Sequence, residues 1–377
     1  MALKSSVSGF GIVVAAALAS ACSGASDGSK GQGGALGGFG GALDPYGNGG
    51  GGGDVASSGG TGTGGGGFVA GTGGDSVGSG GTSSGGALGA GGTPLGAGGD
   101  SVASGGEGTG TGGGGGGADP TADSASTKGP CTVQTYTQGV AGGQDYVNPT
   151  VYYPTDCPGP FPGVVVIPGF TEDQSWIRDW GTFLASHGFA TMTVDTAAGG
   201  IANTGVQPPS RALGLWEGVQ TLKGENTRSG SPLAGKVATD RMAVMGHSMG
   251  GGGTLLAANA HPELKAAIGL CPWNPGVTYP QDVVPSLMFD GTGDFLVPPT
   301  QSLPEYQSIP TTTPKAYVEF TGGSHWVSNT PLGTAATDKI VARIGLSWLE
   351  VHMNGDTRYQ QFIAKDPATM SNFDMKP

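Results

Sequence analysis

The chain has 377 residues, a formal net charge of −12 and 79 glycines. An acidic chain lacks the basic face that phosphate groups require, which argues against a nucleic acid partner. Most of the glycines precede residue 128, so the composition divides the chain into an N-terminal leader, a glycine-rich segment and a region of ordinary globular composition.

The leader has the pattern of an export signal. A basic residue precedes an apolar run over residues 10–19, and this run is too short to cross a membrane. The segment LASAC resembles a bacterial lipobox, in which Cys22 is lipidated, although Leu18 lies one position further from the cysteine than usual. Residues 19–21 suit ordinary signal peptidase equally well. We expect a signal peptide over residues 1–22, with a lipid anchor at Cys22 or, as the alternative, release of a secreted protein.

Residues 23–128 consist mainly of glycine, serine, alanine and threonine. Near-repeats such as GGDSVGSGG and GGDSVASGG occur, but the regular GGxGxDxxx period of a calcium-binding coil is missing. A segment with so few large apolar side chains cannot offset the entropy cost of ordering. We predict a disordered linker with a typical reach of about 50–60 Å.

Residues 129–377 contain all six tryptophans, which predicts one folded domain with a sizeable core. The domain begins with two segments typical of an antiparallel pair, TVQTYT and PTVYYP. Cys131 and Cys157 flank this pair and could form a disulfide in an exported protein. Cys271 follows an apolar strand and is predicted to be a free, buried thiol.

Strand and helix patterns then alternate in the order expected of a mostly parallel sheet flanked by helices. The predicted strands cover residues 163–168, 189–195, 241–246 and 265–270 and the segments PSLMFDG and KAYVEF. Four helices are predicted. The first includes Trp180 and ends near residue 188, and the others cover residues 210–222, 252–260 and 338–353. A long apolar insertion that could serve as a lid is missing, which predicts an open cleft.

The segment GHSMGGGG lies between a predicted strand and a predicted helix, which is the context of a nucleophile elbow. Ser248 is therefore the predicted nucleophile. Gly246 and Gly250 supply the small residues that the sharp turn requires. In proteins with a nucleophile elbow of this kind, two backbone N–H groups stabilise the oxyanion of the reaction intermediate. We predict that these are the N–H groups of Met249 and Phe170.

The catalytic base should follow the nucleophile along the chain, as should the acid. His325 lies in a loop just after a strand and is the predicted base, whereas His261 is at a helix end and His352 is within the last helix. His247 is adjacent to the nucleophile and is predicted to be a support. Among the acids, Asp294 lies on the loop beyond the next-to-last strand and is preferred. Asp290 is still on that strand and is predicted to be a structural hydrogen-bonding group.

The segments PGFTEDQSWIRDWGTFLASHGFATMTVDT, GHSMGGGGTLLAANAHPELKAAIGLCPWN, GGSH and NGDTRYQQF resemble the bacterial cutinases and polyester hydrolases, including poly(ethylene terephthalate) (PET) hydrolases. The resemblance covers about residues 135–374 and implies an α/β-hydrolase fold. It also implies a triad of Ser248, Asp294 and His325.

By the same resemblance, Phe170 and Met249 supply the oxyanion hole. Phe170 and Trp273 form an aromatic clamp for the substrate, and Leu296 is a further cleft position.

Several positions depart from this family. Phe170 stands where tyrosine is usual, and Trp326, after the predicted base, should narrow the cleft or add a stacking face. The family's C-terminal disulfide has no cysteines here, and Thr292 and Thr321 replace acidic groups of calcium-stabilised members, so no metal is expected. The loop AAGGIANTGVQPP looks longer than usual. The remaining tryptophans are predicted to be packing residues, namely Trp176, Trp180, Trp216 and Trp348.

These features predict an exported serine carboxylester hydrolase that cleaves cutin-like or aromatic polyesters through an acyl-enzyme, with no cofactor. The alternative is a general short-chain esterase or triacylglycerol lipase without activity on polymers. A non-catalytic surface protein is disfavoured because all three triad members are present. We expect a monomer whose partners are an ester substrate and, through Cys22, a membrane.

Overall fold

The computed structural model describes residues 119–197 and 207–377. The predicted signal peptide, Cys22 and most of the predicted linker lie outside these residues, as does the middle of the loop AAGGIANTGVQPP. The described residues fall within one compact unit. Among them, no helix has the length and apolar character needed to span a bilayer.

Nine strands of the described residues form a single sheet. They are β1 Val133–Tyr136, β2 Tyr146–Pro154, β3 Phe161–Ile167, β4 Ala190–Thr196, β5 Val237–His247, β6 Ala266–Leu270, β7 Ser286–Gly291, β8 Lys315–Phe320 and β9 Met370–Lys376. The order across the sheet is β1-β2-β4-β3-β5-β6-β7-β8-β9. Strands β3 to β8 are parallel to one another, whereas β1, β2 and β9 are antiparallel to their neighbours.

Helices cover both faces of this sheet. They are α1 Arg178–Ser186, α2 Pro208–Gly224, α3 Met249–Ala260, α4 Pro299–Ser308 and α5 Ala336–Leu349. Val164 and Val166 of β3 pack in one apolar cluster with α1 and α5, whereas Val165 and Ile167 pack with α2 and α3. Because alternate residues of β3 enter opposite cores, the strand is apolar throughout. The protein therefore has the predicted α/β-hydrolase fold.

The predicted disulfide is confirmed. Cys131 and Cys157 are joined, and they bracket the antiparallel pairing of β1 with β2, in which Val133 lies opposite Pro154. Cys271 is buried and free, as predicted.

Two elements escaped prediction, and several are longer than predicted. Helix α4 and strand β9 were not expected. Strand β9 escaped prediction because its sequence, MSNFDMK, has no regular alternation of apolar and polar residues. Strand β9 is held by its antiparallel backbone pairing with β8 at the edge of the sheet. Helix α3 begins at Met249 rather than 252, directly after the elbow. The last helix changes to a π-helical turn at Glu350–Asn354.

The end of the predicted linker also belongs to the folded part. Residues 119–128 include a short 3₁₀ turn, Ser124–Ser126, and Ala125 is buried in the same core cluster as α1 and α5. The ordered structure thus begins before residue 129, where composition alone placed the domain boundary.

Removal of the disulfide should destabilise the domain. The bond closes a loop with a sequence separation of 26 residues, and the loss of such a constraint on the unfolded chain corresponds to about 3 kcal/mol. The double variant Cys131→Ser/Cys157→Ser should lose this much free energy of unfolding in urea denaturation. Reductant should reproduce the loss in the wild type and add nothing in the variant. An unchanged midpoint and slope would contradict this expectation.

Candidate active site

Ser248 lies in a sharp turn between β5 and α3. Its backbone has φ 54° and ψ −120°, a conformation that residues with a side chain rarely adopt. The turn is tight enough that a Cβ on Gly246 would lie 2.3 Å from the carbonyl oxygen of Gly250. A Cβ on Gly250 would lie 2.6 Å from the carbonyl oxygen of Ile167. The two glycines therefore permit the strand-turn-helix geometry that a nucleophile elbow requires.

Asp294 and His325 meet at the same edge of the sheet, on the loops after β7 and β8. The Nδ1 atom of His325 lies 2.6 Å from Oδ2 of Asp294, and both side chains are buried. The other oxygen of Asp294 accepts hydrogen bonds from the backbone N–H groups of Leu296 and Val297, at 2.9 and 2.7 Å. These three contacts fix the carboxylate's orientation towards the imidazole.

This arrangement also sets the protonation state of His325. Burial lowers the pKa of His325 below its ordinary value, against the opposing effect of its hydrogen bond to Asp294. At neutral pH the ring is therefore uncharged. Because a carboxylate only accepts, Nδ1 carries the proton and Nε2 presents a lone pair. Such an imidazole can take a proton from a hydroxyl group.

The loop that carries His325 is held from behind by two further contacts. The indole Nε1–H of Trp180, on α1, donates to the carbonyl oxygen of Ser328 at 2.9 Å. The Sγ atom of Cys271 lies 3.7 Å from the Ser328 hydroxyl. The sulfur, a carboxylate oxygen of Asp294 and a ring nitrogen of His325 all lie within 4.8 Å of one another, which is a possible metal-ligand set. Burial raises the pKa of the Cys271 thiol well above its ordinary value, and a neutral thiol is a poor ligand.

The two rejected histidines lie elsewhere. The ring of His261, after α3, stacks on Trp216 with centroids 3.7 Å apart and an angle of 7° between the planes. His352, in the π-helical turn, packs against Trp348 at 4.3 Å. Neither contacts Asp294 in the way that His325 does.

The predicted cleft residues come together in one apolar cluster. Met249, Trp273 and Leu296 are buried in it, and Phe170 and Trp326 pack against it. Each of the five follows a different strand, respectively β5, β6, β7, β3 and β8. Since the carboxyl ends of parallel strands meet at one edge, residues far apart in the chain form a single surface beside Asp294 and His325.

A buried arginine that the sequence did not single out holds the loop after β3. Arg211, on α2, is fully buried and donates from Nε to the Pro168 carbonyl at 3.2 Å and from Nη2 to the Gly169 carbonyl at 3.0 Å. The carbonyl of Gly169 and the N–H of Phe170 belong to one peptide and point in opposite directions. Arg211 thereby fixes the direction of the Phe170 N–H. A Cβ on Gly169 would lie 2.8 Å from Cβ of Ser248, so this loop borders the elbow.

A second buried group, Glu172, was also missed. Its Oε1 accepts from the indole N–H of Trp326 at 2.9 Å, and its Oε2 accepts from the Gly169 N–H at 2.8 Å. The same Oε2 lies 2.7 Å from Nδ1 of His247. On its other side, Nε2 of His247 lies 2.8 Å from the carbonyl oxygen of His325. His247 is thus in contact with the loop of the predicted base, which agrees with its predicted role as a support.

The rim of the cleft is more aromatic than predicted. Trp180 and Trp348 are fully buried packing residues, as expected, but Trp176 is 43% exposed and lies 6.0 Å from the ring of Trp326. The packing prediction for Trp176 was wrong because the residue lies in a 3₁₀ turn, Gln174–Trp176, before α1, where helical spacing does not apply. Phe295, between Asp294 and Leu296, is 65% exposed.

Comparisons with known proteins identify a family and several similar proteins. Residues 113–376 match a family described as PET hydrolase-like. A bis(hydroxyethyl) terephthalate hydrolase of Streptomyces coelicolor is 39% identical over 221 residues, which are 58% of this chain and 66% of that protein. Cutinase 2 of Thermobifida cellulosilytica is 35% identical over 241 residues, which are 63% of this chain and 86% of the relative. Cutinase est2 of Thermobifida alba is 36% identical over 243 residues, or 64% and 76%.

Asp290, the other acid considered, has a different environment. It is fully buried at the end of β7 and accepts hydrogen bonds from the hydroxyl of Ser302 and, at 3.0 Å, from that of Tyr317. Burial raises its pKa to about 7, with a smaller contribution from the charge of Asp294, and the two hydrogen bonds only partly offset this. The folded protein therefore keeps a proton on Asp290 at pH values where the unfolded chain has released it.

This difference predicts how stability depends on pH. Between about pH 4 and pH 7 the folded state binds one more proton at Asp290 than the unfolded state, so its contribution to stability is lost as the pH rises. The variant Asp290→Asn keeps a neutral acceptor and lacks this loss. Thermal unfolding at pH 5 and pH 8 should show the variant gaining stability relative to the wild type as the pH rises. A difference that is the same at both pH values would contradict the assignment.

Proposed function

The chain belongs to the PET hydrolase-like family, and from this premise we propose that it is an exported serine esterase that cleaves polyesters with Ser248 as nucleophile. The relatives named above are carboxylic ester hydrolases, and so is this protein. The observation that carries the proposal is the position of the hydrogen-bonded Asp294–His325 pair beside an apolar cluster built from the ends of five strands.

The proposed reaction has two halves. The Oγ of Ser248 attacks the ester carbonyl carbon while its proton passes to Nε2 of His325, and Asp294 stabilises the resulting imidazolium. The oxyanion accepts hydrogen bonds from the N–H groups of Phe170 and Met249. When the intermediate collapses, the alcohol leaves with the proton held by His325. Water then attacks the acyl-enzyme with His325 again as base, which releases the acid and restores Ser248.

The aromatic character of the cleft supports an aromatic or cutin-like polyester as the substrate. In this proposal Phe170 and Trp273 contact the acyl group, and their membership of one apolar cluster with Leu296 and Trp326 supports this role. Exposed rings at Trp176 and Phe295 offer further contact to a solid apolar material. The name of the Streptomyces relative refers to a terephthalate ester, which fits an aromatic acyl group.

A general short-chain esterase is the second candidate, and one observation favours it. The indole of Trp326 is held by its hydrogen bond to buried Glu172, so the ring is not free to swing out of the cleft. A fixed ring beside the base narrows the space for a polymer chain while leaving room for a small ester.

Export and anchoring complete the proposal. The pattern of residues 1–22 supports export, and LASAC supports lipidation of Cys22, so that the glycine-rich linker would hold the catalytic domain away from a membrane. Globomycin treatment of expressing cells and mass analysis of the N-terminus distinguish a lipidated Cys22 from cleavage by ordinary signal peptidase.

The purified protein should release aromatic acids from an amorphous PET film and should also hydrolyse p-nitrophenyl butyrate. Ser248→Ala should abolish both activities, since it removes the hydroxyl that forms the acyl-enzyme in this proposal. Product release from the film is measured by chromatography. Butyrate hydrolysis without film hydrolysis would move the protein to the general esterase class, and film hydrolysis that survives Ser248→Ala would contradict the proposed nucleophile.

A rim variant gives the same assay a matched control. Trp176→Ala should lower film hydrolysis several-fold while butyrate hydrolysis stays nearly unchanged, because Trp176 lies on the rim and not at the reacting atoms. Val283→Ala removes a 59%-exposed apolar side chain near the start of β7, at the opposite end of that strand from Asp294, and should change neither activity.

A further inference from the structure

The loops that carry the proposed catalytic groups are joined by one buried carboxylate. Glu172 is 6% exposed and His247 is fully buried. Glu172 contacts the Gly169 N–H on the oxyanion-hole loop, the His247 ring before Ser248, and the Trp326 indole after His325. No other described carboxylate is hydrogen-bonded to all three of these segments, which are two loops and the end of β5.

The hydrogen-bond geometry identifies the charges of this pair. The carbonyl oxygen of His325 can only accept, so Nε2 of His247 must carry a proton. The remaining proton of the contact lies between Nδ1 of His247 and Oε2 of Glu172. Glu172 also accepts from two N–H donors, those of Gly169 and Trp326, which favours its ionised form. The contact is therefore an imidazolium paired with a carboxylate.

The titration tendencies of both groups agree with this assignment. Burial opposes the charge on each, but the attraction to His247, together with the hydrogen bonds, lowers the pKa of Glu172. The attraction to Glu172 raises the pKa of His247 in the same way, with smaller contributions from the His325 carbonyl and from Asp294. The guanidinium of Arg211 is a further cation close to Glu172.

We infer that the Glu172–His247 ion pair is a positioning device for the proposed reaction, one that fixes the His325 loop against the elbow and holds a positive charge beside the proposed base. This inference rests on the proposed function. The ring of His247 lies 4.7 Å from that of His325, so its positive charge opposes protonation of the base.

Every charged or titratable group around His325 enters this balance. Asp294 favours the protonated ring, as does the more remote Glu172, whereas the cation of His247 disfavours it and burial disfavours it most. Cys271, the remaining neighbour, is a neutral thiol. Loss of the Glu172 charge leaves His247 buried without a counter-ion, so that His247 becomes neutral. The net result is loss of the nearer positive charge, which raises the pKa of His325.

The variant Glu172→Gln tests this inference, because it keeps the size of the side chain and an acceptor for Trp326. At low pH, kcat/KM for p-nitrophenyl butyrate falls as the base is protonated, and this part of the pH profile is its acid limb. In Glu172→Gln the acid limb should shift to higher pH by about half to one pH unit. On the plateau, kcat should fall about ten- to a hundredfold with little change in KM, since the Gly169 N–H loses its acceptor and the loops shift. An acid limb at the wild-type pH would reduce the pair to a structural contact and overturn the inference.

A matched control is available in Glu225→Gln. Glu225 is also a buried glutamate, 2% exposed, with several partners, Tyr136, Arg228 and Ser231, none of which belongs to the site. This variant should keep the wild-type acid limb and kcat. If it moved the acid limb as far as Glu172→Gln does, the shift would be a general effect of stability, and the inference would fail.

A measurement on the wild type covers the case in which Glu172→Gln does not fold. The chain has five histidines. Burial lowers the pKa values of His187 and His352 to about 4, and those of His261 and His325 also lie below the ordinary value. NMR of the imidazole rings during a pH titration should therefore show one histidine that stays charged to a higher pH than the other four. A spectrum in which no ring stays charged above the ordinary histidine pKa would overturn the ion pair.

The same NMR result separates this inference from the proposed function. If the wild type fails to hydrolyse the butyrate ester at all, the proposed function fails. The ring spectrum still decides whether the Glu172–His247 ion pair exists.

Discussion

The strained turn at Ser248 is the constraint on which the site depends. A residue with φ 54° at the end of β5 is held there because the backbone N–H of Ser248 donates to Leu270 on β6 and its carbonyl accepts from Gly252 and Trp273. These contacts fix the backbone of Ser248 at the edge where six parallel strands end. Four further site residues lie on the loops that directly follow the neighbouring strands, namely Phe170, Trp273, Asp294 and His325. The order of the parallel strands therefore sets the arrangement of the site residues.

The buried charges behind this edge explain why the loops hold their positions. Arg211 binds the carbonyl groups of the oxyanion-hole loop, and Glu172 binds an N–H of the same loop. Glu172 extends the network through His247 to the His325 carbonyl and through Trp326 to the cleft wall. Buried ions are costly unless they are paired and hydrogen-bonded. Glu172 is paired with His247, and Arg211 donates to two backbone carbonyl groups. Their cost is consistent with a role in orientation, since apolar residues would stabilise the fold as well or better.

The parts of the site that the sequence predicted are those with a local or topological signal. The elbow is visible in eight consecutive residues, and the order of strands favours His325 as the base and Asp294 over Asp290 as the acid. Arg211 and Glu172 were missed because their contacts join elements far apart in the chain, such as α2 with the loop after β3. The packing prediction for Trp176 failed because a 3₁₀ turn breaks the helical spacing. Strand β9 was not predicted because an edge strand needs little alternation of apolar and polar residues. Residues 1–118 and 198–206 lie outside the described structure, so the anchor, most of the linker and the shape of one rim stay predictions.

Activation of Ser248 by Asp294 and His325 is tested most directly by the rate at which diethyl p-nitrophenyl phosphate modifies the protein. The reagent should form one covalent bond to Oγ of Ser248 with release of one p-nitrophenolate, which peptide mass spectrometry locates. Asp294→Asn should slow this step by about four orders of magnitude, because it favours the wrong tautomer of the base. Asp290→Asn should react at nearly the wild-type rate. Modification at another residue, or a loss of reactivity in Asp290→Asn but not in Asp294→Asn, would contradict the account.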